Sequence, residues 1–170
     1  EPLEGGNFYH IYNRGNNKQK VFIEEKNYTY FLRLMKKHLL PIAGIYCYCL
    51  LPNHFHILLR IKDEATNPAQ KFSNLFNAYT KAMNKEYKRS GNLFDRTYKR
   101  KKISNENYLR TLIVYIHLNP KPSKLQKDHR VYPHSSYRHI TNSNLTFLKR
   151  KEVVGLFDDI ENFEFVHQRR

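Results

Sequence analysis

Ile45-Tyr46-Cys47-Tyr48-Cys49-Leu50-Leu51-Pro52-Asn53-His54-Phe55-His56-Ile57-Leu58-Leu59-Arg60-Ile61 holds two apolar runs, Ile45 to Leu51 and His54 to Ile61, split by the dipeptide Pro52-Asn53. Short runs rich in β-branched and aromatic residues and bounded by turn residues read as strands, and a two-residue connection makes the pair a hairpin. In that hairpin Leu51 stands opposite His54, Cys49 opposite His56, and Cys47 opposite Leu58. Successive side chains leave a strand on opposite faces, so His54 and His56 share one face and Phe55 takes the other.

Outward from the hairpin the periodicity changes. Phe8 to Asn13 alternates as an aromatic-rich strand ending at Gly15. Tyr28, Phe31, Leu32, Met35 and Leu39 recur at helical spacing after Glu24, and Pro41 stops that helix. A second helix is expected from Pro68 to Arg89, with Asn67 as its cap and Ser90-Gly91 as its end. Its inward stripe is Phe72, Leu75, Phe76, Tyr79, Met83 and Tyr87. Leu93 to Ile103 supplies a further strand, and Ser104 caps a third helix that ends near Asn119-Pro120. Beyond it Pro122 and Pro133 read as loop, and Leu148 to Phe157 as a short helix. Strand, helix, hairpin, helix, strand, helix gives a single α+β domain: a mostly antiparallel β-sheet backed by helices.

Lys and Arg number 30 against 15 Asp and Glu, a net charge of +15 with a pI near 9.8. An excess of that size calls for a polyanionic partner, nucleic acid first and an anionic lipid surface second. Aromatic residues interleaved with the basic ones, as in Tyr87-Lys88-Arg89 and Tyr98-Lys99-Arg100-Lys101-Lys102, suit phosphate contact combined with base stacking and favour nucleic acid. Phosphate contacts are expected from Arg14, Lys81, Lys85, Lys88, Arg89, Arg96, Lys99, Arg100 and Lys102. No apolar run approaches the roughly 18 residues of a membrane span, and no signal-peptide pattern opens the chain. Cys47 and Cys49, one residue apart, do not form a disulfide framework. These features together predict a soluble, cytoplasmic protein.

His54 and His56, on one strand face, are a ready pair of metal ligands, although an isolated H-x-H is more often two solvent-facing histidines. With Cys47 and Cys49 on the same face they have the ligand types of a structural zinc site, but four ligands on a flat sheet hardly surround an ion. On the third helix Tyr115 and Asn119, four residues apart, lie on one face with Thr111 and Tyr108, beside a buried stripe of Leu109, Leu112, Ile113 and Ile116. If that helix crosses the sheet, a phenol and an amide oxygen converge on the histidines. Alone, the same pair reads as a core tyrosine and a helix-ending asparagine.

Leu51-Pro52-Asn53-His54-Phe55-His56, Gly91-Asn92-Leu93-Phe94-Asp95-Arg96-Thr97-Tyr98 and Tyr115-Ile116-His117-Leu118-Asn119-Pro120, with a weaker match at Tyr132-Pro133-His134-Ser135-Ser136-Tyr137, resemble the motifs of HUH-type single-tyrosine transposases, especially those associated with repetitive extragenic palindromes. The resemblance covers about residues 8 to 140. It implies a ferredoxin-like HUH endonuclease fold over 1–140, with the catalytic helix on the sheet face. Residues 141–170 then form a C-terminal tail, with a short helix packed on the domain or near DNA. It also implies that His54 and His56 are metal ligands and that Tyr115 is the nucleophile. Asn119 stands where insertion-sequence relatives carry a glutamine as third ligand.

The implied cofactor is Mg2+ or Mn2+, and the implied substrate is single-stranded or hairpin DNA. Cutting and rejoining would pass through a 5′-phosphotyrosine. A monomer and a homodimer both fit the motifs, and a hairpin DNA or RNA binder that kept the scaffold without turnover is the alternative function. Lys121-Pro122-Ser123-Lys124 replaces the usual Val-Arg-Ala-Gly, and His134 replaces a usual tryptophan.

Overall fold

The computed structural model describes residues 2–121, 124–142 and 144–168. Strands β1 (Phe8–Arg14), β2 (Ala43–Leu51), β3 (His54–Ile61) and β4 (Lys99–Ile103) form one antiparallel sheet in the order β2-β3-β1-β4. With α1 (Glu25–Leu39) and α2 (Pro68–Glu86), the element order β-α-β-β-α-β is that of a ferredoxin-like fold. The single α+β domain and its antiparallel sheet are as the sequence predicts.

The Pro52-Asn53 hairpin holds its expected register, with Leu51 opposite His54, Cys49 opposite His56 and Cys47 opposite Leu58; a bulge falls between Ile45 and Cys47. Alternation sorts the sheet into two faces. Ile11 and Phe55 turn toward α1 and α2, where Phe55 packs on Phe31 of α1 and Phe76 of α2. Phe72, Leu75, Tyr79 and Met83 are the buried stripe of α2, flanked by half-buried Phe76 and Tyr87. The opposite face receives α3 (Glu106–Leu118), which packs on β2, β3 and β4.

Four local expectations are corrected. Asn67 precedes α2 in a left-handed conformation (φ 49°) and makes no side-chain cap, so Pro68 alone marks that start. The cap of α3 is Asn105, whose side chain accepts the Tyr108 N–H, and not Ser104. Strand β4 begins at Lys99; Leu93 to Tyr98 form a loop pinned by a bridge between Gly15 and Phe94, with both Leu93 and Phe94 buried. The last 35 residues hold more helix than one short segment: α4 (Tyr137–Thr141), α5 (Arg150–Leu156) and α6 (Ile160–Gln168). Pro122, read as loop, lies outside the described residues.

Edge strand β2 is closed by the 132–136 segment. Leu50 N donates to His134 O at 2.8 Å, Ser136 N to Tyr48 O at 3.0 Å, and Tyr132 Oη to Leu50 O at 2.7 Å. Covering an edge in this way removes a template for pairing with another chain. His134 lies flat on Tyr28, ring centroids 3.6 Å apart, and pairs with Glu25.

Candidate active site

The α3-facing side of the sheet carries polar groups at its centre because β1 and β3 bring them there together. Tyr12 stands opposite His56, and Arg14 opposite His54. Alternation puts His10 on the same face, one step along from Tyr12. Its Nε2 lies 2.9 Å from His56 Nδ1, and its ring stacks on Tyr12 at 4.4 Å. His54 and His56 are themselves nearly perpendicular, with centroids 5.3 Å apart.

Helix α3 crosses this face with its apolar stripe down: Leu109, Leu112, Ile113 and Ile116 are buried. Tyr108, Thr111 and Tyr115 lie on its exposed side. Tyr115 is 54% exposed, and its ring meets His56 edge-on at 5.7 Å and 84°. Asn119 ends the helix in right-handed conformation, and its Oδ1 lies 3.3 Å from His54 Nε2. The phenol, both imidazoles and the amide, drawn from β3 and α3, are therefore brought together.

Proton placement at His54 follows from its contacts. Asn53 Oδ1 and Asn119 Oδ1 can only accept, and a neutral ring has one proton for the two; the shorter contact, 2.8 Å to Asn53 against 3.3 Å to Asn119, favours the proton on His54 Nδ1 with Nε2 as a lone pair. Burial lowers the His54 pKa, opposed by the Asn119 contact, which keeps the ring neutral near pH 7. Two acceptors, Nε2 and Asn119 Oδ1, thus face each other. Burial, with His10 and His54 nearby, lowers His56 to about 3. Burial and the Lys101 charge lower His10 to about 4. All three rings are neutral and can act as lone-pair donors.

The two cysteines do not join this group. Cys47 and Cys49 are buried, with burial pushing both thiols up, and among the described residues no three His, Cys, Asp or Glu side chains are grouped to hold a metal.

A cleft of about 460 Å3 opens beside the histidines at the end of β1, lined by Tyr12, Arg14, Lys18, His54, His56 and Lys99. Arg14 pairs with Asp95 at 3.3 Å; the Arg96 N–H and Arg14 hold that carboxyl below its usual range. Of the expected phosphate-binding residues, Arg14 and Lys99 thus border the cleft. Arg96 is exposed just after Asp95, and Lys81, Lys85 and Lys88 are exposed on or just after α2, in the layer behind the sheet. Arg89 instead braces its own turn through Asn84, Gln19 Oε1 (3.0 Å) and Asn92 O (3.3 Å). Arg100 folds over Tyr98, and by alternation it and Lys102 leave β4 on the face away from the histidines.

Sequence reading missed His10, Tyr12 and Lys101. Lys101 stands opposite His10 in the sheet, and its Nζ reaches Tyr108 Oη at 3.1 Å. The alternation Tyr9-His10-Ile11-Tyr12 was a usable signal, since it sets His10 and Tyr12 on one face. What it could not supply was the partner: only the β1–β3 register puts that face beside His56.

The sheet order is ferredoxin-like, with α3 laid over the histidine-bearing face. No family model and no curated protein matches the chain. Among solved structures, a REP-associated tyrosine transposase bound to a REP hairpin superposes on it with a TM-score of 0.70 at 16% identity, over 86% of each chain. The chain has the fold of that transposase. Among the described residues no helix is long and apolar enough to cross a membrane.

Proposed function

We propose that the protein is a metal-dependent single-strand DNA endonuclease and strand transferase that cuts and rejoins DNA near hairpins, with Tyr115 as nucleophile. The observation that carries this reading is Tyr115, solvent-exposed and edge-on to His56, beside the facing lone pairs of His54 Nε2 and Asn119 Oδ1. With the proton on His54 Nδ1, Nε2 and Asn119 Oδ1 are two acceptors 3.3 Å apart, an arrangement suited to a positive centre bound by both. His54, His56 and Asn119 fit a divalent cation in that role, two neutral imidazoles and one amide oxygen with no thiolate, a set compatible with Mg2+ or Mn2+. Bound there, the cation would offset the charge of the scissile phosphate.

The protein's own residues supply the rest. Tyr115 attacks phosphorus, its oxygen forming the new P–O bond as the bond to the 3′ oxygen breaks; the phenol proton goes to water and the 3′ oxygen takes one up. The product is a 5′-phosphotyrosine and a free 3′-hydroxyl, which conserves a phosphodiester for rejoining. Arg14 and Lys99, bordering the cleft, are suited to contact the backbone on either side of the cut. The charge of +15 favours the same polyanionic partner.

The test is incubation of the full chain with labelled single-stranded hairpin oligonucleotides and Mn2+ or Mg2+, followed by denaturing electrophoresis. A metal-requiring adduct that survives denaturation and is absent from Tyr115→Phe is the expected result. Salt-sensitive binding without any adduct across a broad panel would instead establish a hairpin-binding protein that has kept the scaffold.

A further inference from the structure

His10 is 7% exposed at the centre of the sheet, where a polar side chain needs a partner, and it finds one in His56. The 2.9 Å contact between His10 Nε2 and His56 Nδ1 holds a single proton, which leaves two arrangements. With the proton on His56 Nδ1, a neutral His56 presents Nε2 as a bare lone pair. With the proton on His10 Nε2, a neutral His56 must carry its own proton on Nε2 and cannot ligate a cation there.

His54 supplies an independent indication of which arrangement the site uses. Asn53 Oδ1 accepts from His54 Nδ1, freeing Nε2 on the side of Asn119. The same division of labour at His56, an outer acceptor on Nδ1 and a free Nε2, makes the two histidines equivalent. Tyr12 restrains both rings of the His10–His56 pair, stacking on His10 at 4.4 Å and on His56 at 5.9 Å. Outer partners of this kind orient a ligating imidazole, fix its tautomer and raise its basicity.

We propose that His10 is a positioning residue that accepts the His56 Nδ1 proton and so fixes His56 in the tautomer and orientation that present Nε2 to a divalent cation. This rests on the reading of His56 as a metal ligand. His10 itself touches neither cation nor DNA in this role.

Long-range 1H–15N spectra of the metal-free full chain report which ring nitrogen of His56 carries the proton, and titration calorimetry with Mn2+ reports the consequence. The native chain should show His56 protonated on Nδ1. His10→Leu keeps apolar volume but removes the acceptor; it should move His56 toward the Nε2-protonated form and weaken Mn2+ binding roughly 10- to 100-fold. His10→Gln returns an acceptor oxygen at the end of a side chain of similar reach and should recover most of both signals.

A native His56 protonated on Nε2, or a folded His10→Leu chain that binds Mn2+ as tightly as the native one, would overturn the proposal. The native spectrum decides the tautomer even if His10→Leu does not fold. A native chain that shows the Nδ1 proton yet binds no Mn2+ would sink the metal reading alone, leaving His10 as the group that sets the tautomer.

Discussion

Acid should loosen the attachment of α6 to α3 well before it unfolds the sheet, and the reason lies in a run of single protons. Tyr48 N donates to Ser136 Oγ at 2.9 Å, and Ser136 Oγ lies 2.8 Å from His117 Nε2. His117 Nδ1 lies 3.0 Å from His167 Nε2, and His167 Nδ1 donates to Phe163 O at 2.7 Å. Since the Phe163 carbonyl can only accept, His167 Nε2 must be the acceptor from His117 Nδ1–H, and His117 Nε2 the acceptor from the Ser136 hydroxyl. Ser136 Oγ also lies 3.2 Å from Tyr48 O, so the hydroxyl can turn there and let the run carry one more proton; what opposes that proton is the placing of a positive charge on a fully buried ring.

Both rings are fully buried, among Tyr137, Phe157, Phe163 and His129, with the charged Asp128, Arg130 and Glu164 acting on Tyr137. Burial lowers His117 well below 6.5 and lowers His167 to about 4. Folding therefore favours the neutral rings, while the unfolded chain protonates near 6.5. This contribution is complete above pH 6.5 and is lost as pH falls toward 4.

For His167 the interval from 6.5 to about 4 amounts to roughly 3 kcal/mol in all, of which about 2 kcal/mol is lost by pH 5. Other buried histidines act in the same direction, so the measurement is a difference. Urea unfolding followed by circular dichroism at pH 7, 6 and 5 compares the native chain with His167→Gln, which can still donate and accept but does not titrate. The native advantage at pH 7 should shrink by about 2 kcal/mol at pH 5. A gap that stays constant across that range would refute the proton assignment.

Two further outcomes follow from the end of β1. A Cβ on Gly15 would sit 1.9 Å from Gln19 O, so Gly15→Ala must push apart the loop that closes over Asn53; a loss of about 1–3 kcal/mol in urea unfolding is expected. Lys99→Ala should weaken binding of a hairpin oligonucleotide and lower the magnitude of its log–log salt slope by about 0.7 to 0.9. Arg100→Ala, one residue on but on the other face, should leave that slope unchanged, as fluorescence anisotropy over a salt series would report.

Sequence carried the elements whose signal is local. The Pro52-Asn53 turn set the hairpin register, and with it the shared face of His54 and His56. The i, i+4 spacing of Tyr115 and Asn119 set their side of α3. Local signals failed where a tertiary contact outvoted them. Leu93 and Phe94 look like the start of a strand because they are apolar, but their burial comes from bridging to the Gly15 loop and packing on Phe55 and Phe76, with no ladder. Helix α6 was unreadable for a similar reason: Phe163 and His167 form a stripe only one turn long, and what fixes it is His117, fifty residues away.

That distant contact also bears on the site. Tyr115 and Asn119 face the cleft side of α3, while His117, between them, turns inward to Ser136 and His167. The exposed face of a helix is only as well placed as its buried face is held, and catalytic groups need positions good to a fraction of an ångström. On the α1–α2 side the centre of the sheet is closed by apolar side chains such as Ile11, Phe55 and Ile57, with Asn13, Arg100 and Lys102 toward its margins. On the α3 side, His10, Tyr12, His54 and His56 occupy the centre because α3 covers the sheet only in part and α4 to α6 pack around that helix, not over the histidines. The C-terminal helices thus hold α3, and with it Tyr115, in place above the histidine face; under the proposed function this is how they would bear on the reaction.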